Sequence, residues 1–337
     1  MRRIPDYYEK FQCAGGACKD NCCIGWDVYV DEESACRYKN ETGDFGQQLK
    51  DYLSMEEEPH FQMKEDGRCP FLNKDNLCEI YIRLGEDELC EICTMHPRFA
   101  DTYNGITEIG LGLSCEVAAE LILNWKDKVR FLDLFEEEPE KNILFLYRDK
   151  SIQTLQNREK TIFERWYFVL AMGEDLQQRM NQGKEIHDYE FPREKETESK
   201  TINLNSWFCE VTNIFKEFDY MTEEFQEILN GAGEFQKKEI DEILWEQLSV
   251  YFIYRYFMKS VFDNNPLEKI KISLISFLMI YQWSQRVEVD VTEVARLYSK
   301  EVEYSMDNLD VLREEILFDG CFETDVLKNV LVASGNL

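Results

Sequence analysis

The stretch FQCAGGACKDNCCIGW, residues 11–26, places Cys13, Cys18, Cys22 and Cys23 within eleven positions, with Gly15 and Gly16 free to fold the backbone tightly between them. Working outward from it, the spacings continue as Cys36, then Cys69-x8-Cys78, Cys90-x2-Cys93 and Cys115. Ten of the chain's twelve cysteines lie between Cys13 and Cys115, and only Cys209 and Cys321 fall in the rest of its 337 residues. A chain of this length builds a full hydrophobic core and does not need disulfides to fold. The first residues, MRRIPDYYEKFQC, have no apolar run behind Arg2 and Arg3, so no secretory signal is expected and the expected compartment is the cytoplasm. A reducing cytoplasm disfavours structural disulfides and leaves thiolates free to ligate metal.

Thiolates are soft donors that bind both zinc and iron, and distant pairs complete a four-ligand shell. Zinc ribbons usually present two similar C-x2-C knuckles. This chain has one, with an adjacent Cys22-Cys23 pair elsewhere. Uneven spacing suits ligands spread over a larger inorganic core, so an iron–sulfur centre ranks ahead of zinc, and disulfides or inert thiols come last. Cys36, in DEESACRYKN, sits on a surface helix pattern, while Cys209 and Cys321 read as small core residues; all three are set aside. His96 has two readings, a nitrogen ligand or a surface or hydrogen-bonded histidine. Arg98 either donates to cluster sulfur or an anionic ligand, or forms a structural ion pair.

The net charge of −29, from 67 acidic and 38 basic residues, counts against nucleic acid and anionic lipid as partners. The acidic runs Glu56–Glu58 and Glu136–Glu138 read as solvated faces. The most apolar stretch, Ile272 to Trp283, has twelve residues against the roughly 20 that a membrane span needs, so no transmembrane helix is expected.

After Cys115 the pattern turns helical. Ala118, Leu121, Ile122 and Trp125 share one face of a helix expected to continue toward Phe135. Two helices are expected over 142–180, a charged linker over 183–200, and further helices over 206–218, 222–229, 237–262, 267–283 and 291–304, with Pro266 opening one of them. The aromatic block VYFIYRYFMKSVF, residues 250–262, reads as core rather than pocket. Short strands are expected near 26–30 and 105–110. The expected architecture is therefore mainly α: an irregular cysteine-rich N-terminal metal-binding module over 1–125, packed on an α-helical body over 126–337.

Three strings, FQCAGGACKDNCCIGWDVYVD (11–31), RCPFLNKDNLCEIYIRLGEDELCEICTMHPRF (68–99) and GLSCEVAAELIL (112–123), resemble in order the motifs of the flagellin lysine-N-methylase family, itself related to small cysteine-rich zinc- or iron-chelating domains. The likeness runs from about Tyr8 to Leu123. It implies a bacterial enzyme of the cytoplasm that methylates lysine side chains of flagellin, with S-adenosylmethionine as donor and an iron–sulfur cluster, of the 4Fe-4S type, as its metal centre. Position by position, the family's cysteines fall on Cys13, Cys18, Cys22, Cys23, Cys69, Cys78, Cys90, Cys93 and Cys115, and Cys36 has no counterpart. His96 stands where an aromatic residue is expected before the Pro-Arg pair. Glu116 follows Cys115 directly where Cys-Pro-Glu is expected.

Lysine methylation requires a neutral amine aligned with a sulfonium methyl. The usual donor-binding signatures are absent: the glycines of AGGAC and GLGLSC lack the G-x-G-x-x-G spacing and read as tight turns, and Cys18-x3-Cys22 lacks the following C-x2-C step of radical enzymes. The enzymatic expectation thus comes from the resemblance. Asp27, Tyr29, Asp31, Arg98 and Glu116 are the candidates for amine or donor contact, each with a solvated or capping alternative. An acidic surface suits recruitment of lysine-bearing segments. The alternative function is a non-catalytic protein whose iron–sulfur or zinc centre senses oxidant or scaffolds an interaction.

Overall fold

A computed structural model describes residues 1–56, 58–134, 142–184, 202–231, 238 and 241–336. The strands are β1 (Arg2–Pro5), β2 (Leu53–Ser54), β3 (His60–Phe61), β4 (Arg98–Tyr103), β5 (Ile106–Leu111) and β6 (Phe131–Asp133). Four of them form one sheet in the order β4-β5-β1-β6. The antiparallel hairpin β4–β5 turns on Asn104 and Gly105, at φ +49° and +81°, the left-handed pair that a two-residue hairpin turn demands. β1 runs parallel to β5 and antiparallel to β6.

The helices of the cysteine-rich part are α1 (Glu32–Asn40), α2 (Gly43–Tyr52), α3 (Glu79–Leu84), α4 (Glu91–Met95) and α5 (Glu116–Leu123). Those beyond are α6 (Ile143–Leu155), α7 (Ile162–Asn181), α8 (Leu204–Lys216), α9 (Glu223–Asn230), α10 (Glu242–Tyr256), α11 (Ser260–Asp263), α12 (Pro266–Ser284), α13 (Val291–Tyr298), α14 (Met306–Phe318) and α15 (Thr324–Gly335). Thr161 and Glu164 close a reciprocal capping box at the start of α7. Pro266 occupies the first turn of α12, and Asn265 accepts from Glu268 N at 3.3 Å. Nearly every side chain of α12 is buried, as are most of α10, so these two helices run through the interior rather than along it. Trp166 and Trp283 are fully buried in this core. Val250–Tyr254 and Tyr256–Met258 are buried as expected of core, whereas Phe262 is 72 % exposed.

The mainly α expectation holds, and the differences are local. The helix after Cys115 stops at Leu123, and Phe131–Asp133 becomes a sheet strand because β1 offers an edge that the local pattern does not reveal. Residues 26–30 form no strand; Tyr29 makes one isolated bridge to His60. More regular structure lies between the cysteines than expected, since α1 and α2 separate Cys23 from Cys69. The expected linker over 183–200 and the run Glu136–Glu138 lie largely or wholly outside the described residues.

Two apolar clusters result. The smaller holds Val28, Val30, Tyr38, Leu49, Phe61, Phe71 and Ile80. The larger joins α5–α10 and α12–α15 with Phe99, Tyr103 and Ile106 from the sheet and with Tyr7, just after β1. Among the described residues, no helix is long and apolar enough to cross a membrane.

Candidate metal and substrate cavity

The expected cysteines converge. Cys13, Cys18, Cys22, Cys23, Cys69, Cys78, Cys90 and Cys93 all line one cavity of about 640 Å³. The ninth, Cys115, caps α5 beside it, in electrostatic reach of Cys13 and Cys22. None of the nine is in a disulfide. Cys36 lies exposed on α1 and Cys321 is buried, both as expected, but Cys209 is exposed on α8 rather than packed in the core.

The local sequence explains how the thiols are aimed. Gly15, at φ +57°, lets the chain turn so that its own N–H donates to Cys13 Sγ at 3.3 Å. A side chain at Gly16 would collide with the Asp75 carbonyl, so the loop around 15–18 abuts the loop around 73–78. Asn21 accepts from Cys23 N at 2.9 Å and donates to Asn76 O at 3.3 Å, bending the chain at the Cys22-Cys23 pair. Cys78, Cys90 and Cys115 each stand at the N-cap of a helix, α3, α4 and α5. At that position the N-terminal end of a helix favours negative charge on sulfur.

Burial acts in the other direction. It pushes the Cys69 thiol up to about 11 and, with Glu116 and Cys115 nearby, Cys18 up to about 12. Within the two close pairs, Cys22 is lowered by its neighbour Cys23 and Cys90 by Cys93, while Cys23 and Cys93 are raised. Among the described residues, no three Cys, His, Asp or Glu side chains converge closely enough to hold a single metal ion. The thiols are instead spread around the wall.

The rest of the wall is aromatic. The Trp26, His96 and Tyr304 rings meet with centroids 5.7–6.5 Å apart. His96 is therefore a packed wall residue rather than a surface or hydrogen-bonded one, and burial, with Arg98 nearby, lowers its pKa to about 4. Arg98 lies over the rings of Phe11 and Tyr8 at 5.3 and 5.9 Å and lines the cavity. Tyr304 arrives from the far end of the chain, where α13 runs into a π-helical turn over Ser299–Glu303. Nothing local marked it, although Trp26 ends the first cysteine loop in plain view.

The other candidates separate. Asp27 lines the cavity. Asp31 caps α1 through Ser34 N at 2.8 Å and accepts from Glu91 N at 2.9 Å, which is the capping alternative. Glu116 accepts from Lys19 N at 3.1 Å, pinning the first cysteine loop to α5. Tyr29 is half exposed outside the cavity lining. Gly110 and Gly112 serve packing, not turns: a side chain at the first would strike the Phe99 ring and at the second Tyr304.

The family model described as the FliB lysine N-methylase C-terminal domain matches residues 148–329. This chain belongs to that family. It is 32 % identical over 130 residues to a lysine-N-methylase of Salmonella typhimurium, covering 36 % of this chain and 32 % of that protein. A flagellar biosynthetic protein FliU of Salmonella muenchen is also 32 % identical over 130 residues, with 77 % of its length covered. A lysine-N-methylase of Salmonella choleraesuis is 28 % identical over 130 residues, again with 32 % of its length covered. The chain thus spans about a third of the length of the two curated lysine-N-methylases it matches. No solved structure matches.

Proposed function

We propose that this protein methylates lysine side chains of flagellin, with S-adenosylmethionine as donor, and that the thiol-lined cavity holds an iron–sulfur cluster. The observation that carries the activity is the family match over 148–329, supported by relatives named lysine-N-methylase and a flagellar biosynthetic protein. The donor set supports the metal reading: eight thiols line one cavity, and soft sulfur donors suit an iron–sulfur core. Zinc is the alternative occupant.

In the transfer, the lysine nitrogen lone pair forms a bond to the methyl carbon while the carbon–sulfur bond breaks, its electrons leaving on the now neutral thioether. The nitrogen then sheds its proton. A site for this step must exclude water, hold the amine neutral and align three atoms. Trp26, Tyr304 and His96, whose charged form burial disfavours, supply an aromatic wall suited to a sulfonium. Asp27, an exposed carboxylate on the same cavity, is our candidate to accept the amine proton. A cluster held by the cavity thiols Cys13, Cys18, Cys22, Cys23, Cys69, Cys78, Cys90 and Cys93 would supply redox-active iron and Lewis acidity toward the donor's amino and carboxylate groups.

The test is to co-express the chain with flagellin and weigh the flagellin. Mass increments of whole methyl groups on lysine-bearing peptides are expected, and their absence with the metal centre intact overturns the assignment. The exposure of Cys13 and Cys22 at the cavity rim favours one other reading, a non-catalytic oxidant sensor, which that same negative result would leave standing.

A further inference from the structure

The cavity has an apolar lip. Leu77, Tyr81, Ile82 and Ile92 all line it, yet each keeps between 43 % and 54 % of its surface exposed. Leu77 lies just before α3, Tyr81 and Ile82 on α3, and Ile92 on α4. Folded proteins scatter single apolar side chains over their surfaces without consequence, but four at the edge of one cavity form a patch. The lip is held in place from behind. Ile80 is buried in the smaller apolar cluster, and Leu84 packs on it. Glu79 accepts from Asn73 Nδ2 at 3.0 Å, and the Arg83 guanidinium lies over the Phe45 ring at 5.0 Å. Leu77 rests on the glycine turn of the first cysteine loop, its Cδ2 being 3.6 and 3.4 Å from where side chains at Gly15 and Gly16 would begin. Carboxylates stand beside the apolar groups: Glu86 also lines the cavity, Glu91 opens α4, and both are exposed.

We propose that this lip is the docking surface for the protein substrate, and that it selects segments whose target lysine is flanked by apolar side chains. The inference rests on the lysine-methylation reading. A lysine reaches into a cavity on a four-carbon stem, which leaves its backbone and its sequence neighbours at the mouth. There they meet Leu77, Tyr81, Ile82 and Ile92. Apolar neighbours gain by removing this surface from water, and a lip already fixed in place loses little freedom on binding. Glu86, Glu91 and the net charge of −29 draw a cationic segment toward the mouth. A second copy of this chain brings the same −29 and an anionic bilayer is repelled likewise, so the lysine-bearing segment is the occupant that this surface fits.

Two fluorescent peptides test this by anisotropy with the full chain, one with its lysine between leucines and one with its lysine between serines. The parent chain should bind the leucine peptide about tenfold more tightly. Tyr81→Ser together with Ile82→Ser should erase that preference and leave the serine peptide bound within about twofold of the parent. Equal binding of the two peptides by the parent, or binding of neither, overturns the proposal, as does a preference that survives the double substitution with helical circular dichroism unchanged. Light scattering should find the parent monomeric; a dimer that the substitutions split makes the lip an interface between copies and overturns the proposal too. In case the variant misfolds, a photoreactive group placed beside the lysine of the leucine peptide is crosslinked to the parent and mapped by peptide mass. Crosslinks within 77–92 are expected, and crosslinks only elsewhere overturn the docking surface. Binding needs no methyl donor, so the two readings fail separately. Flagellin that gains no mass while the preference stands defeats methylation alone, and flagellin that gains mass without any preference defeats the lip alone.

Discussion

The His96 imidazole packs 6.4 Å from the Trp26 ring and 6.5 Å from that of Tyr304, and its environment disfavours the charged form. Burial, helped by Arg98, takes its pKa from 6.5 to about 4. Between those values the unfolded chain binds a proton that the folded chain refuses. The stability contributed by the neutral ring is therefore complete above about pH 6.5 and is lost as pH falls through about 4, by no more than about 3 kcal/mol. Urea unfolding of the wild type and of His96→Phe between pH 7 and pH 4 should show this component in the wild type alone, and imidazole NMR should find the ring uncharged at pH 5.5. A ring that titrates near 6.5 would sink the argument. At this scale the thiols were legible, because a cysteine announces its chemistry whatever surrounds it. The role of Asp31 was not, since cap and substrate contact use the same carboxylate and only the neighbouring N–H groups decide between them.

Helices were legible where apolar periodicity and capping agree, as in α7, with its Thr161–Glu164 box, and α12, with Pro266 in its first turn. The sheet was mostly missed. Asn104-Gly105 is a recognisable hairpin signal, yet β1 and β6 are too short to carry a period of their own and form because each supplies the other's hydrogen bonds. Gly112 tests how closely the element after β5 approaches the helical body. A methyl group there would meet the Tyr304 ring, so Gly112→Ala should cost about 1–3 kcal/mol by urea unfolding and disturb the tryptophan fluorescence of Trp26. Gly320→Ala, where the added methyl meets open space, should stay within about 0.5 kcal/mol. Equal effects at the two glycines would remove Tyr304 from the cavity wall.

Across the molecule, the first cysteine loop is held to the C-terminal helices by Asp20, whose carboxylate meets Lys300 280 positions away and Arg296 276 positions away. Burial alone would raise the Asp20 pKa; the two cations outweigh it and hold the carboxyl below its usual range. Lys300 and Arg296 are themselves buried, so Asp20→Asn leaves cations in a poorly solvated place. It should cost about 2–3 kcal/mol, less than a fully enclosed pair because Asp20 is 26 % exposed. Limited proteolysis should find faster cleavage within residues 11–26. Unchanged stability and cleavage would mean that the loop is held by other contacts.

Thiol chemistry, the mainly helical class, the core role of the aromatic block and the family likeness were all readable along the chain, because each depends on side-chain type and short-range spacing. That eight of the cysteines line one cavity and that Trp26, His96 and Tyr304 close its wall depend on contacts between segments far apart in sequence. No local pattern encodes such contacts. They follow from how the apolar faces of α5, α10 and α13 bury one another and bring the cysteine loop against the π-helical turn before Tyr304.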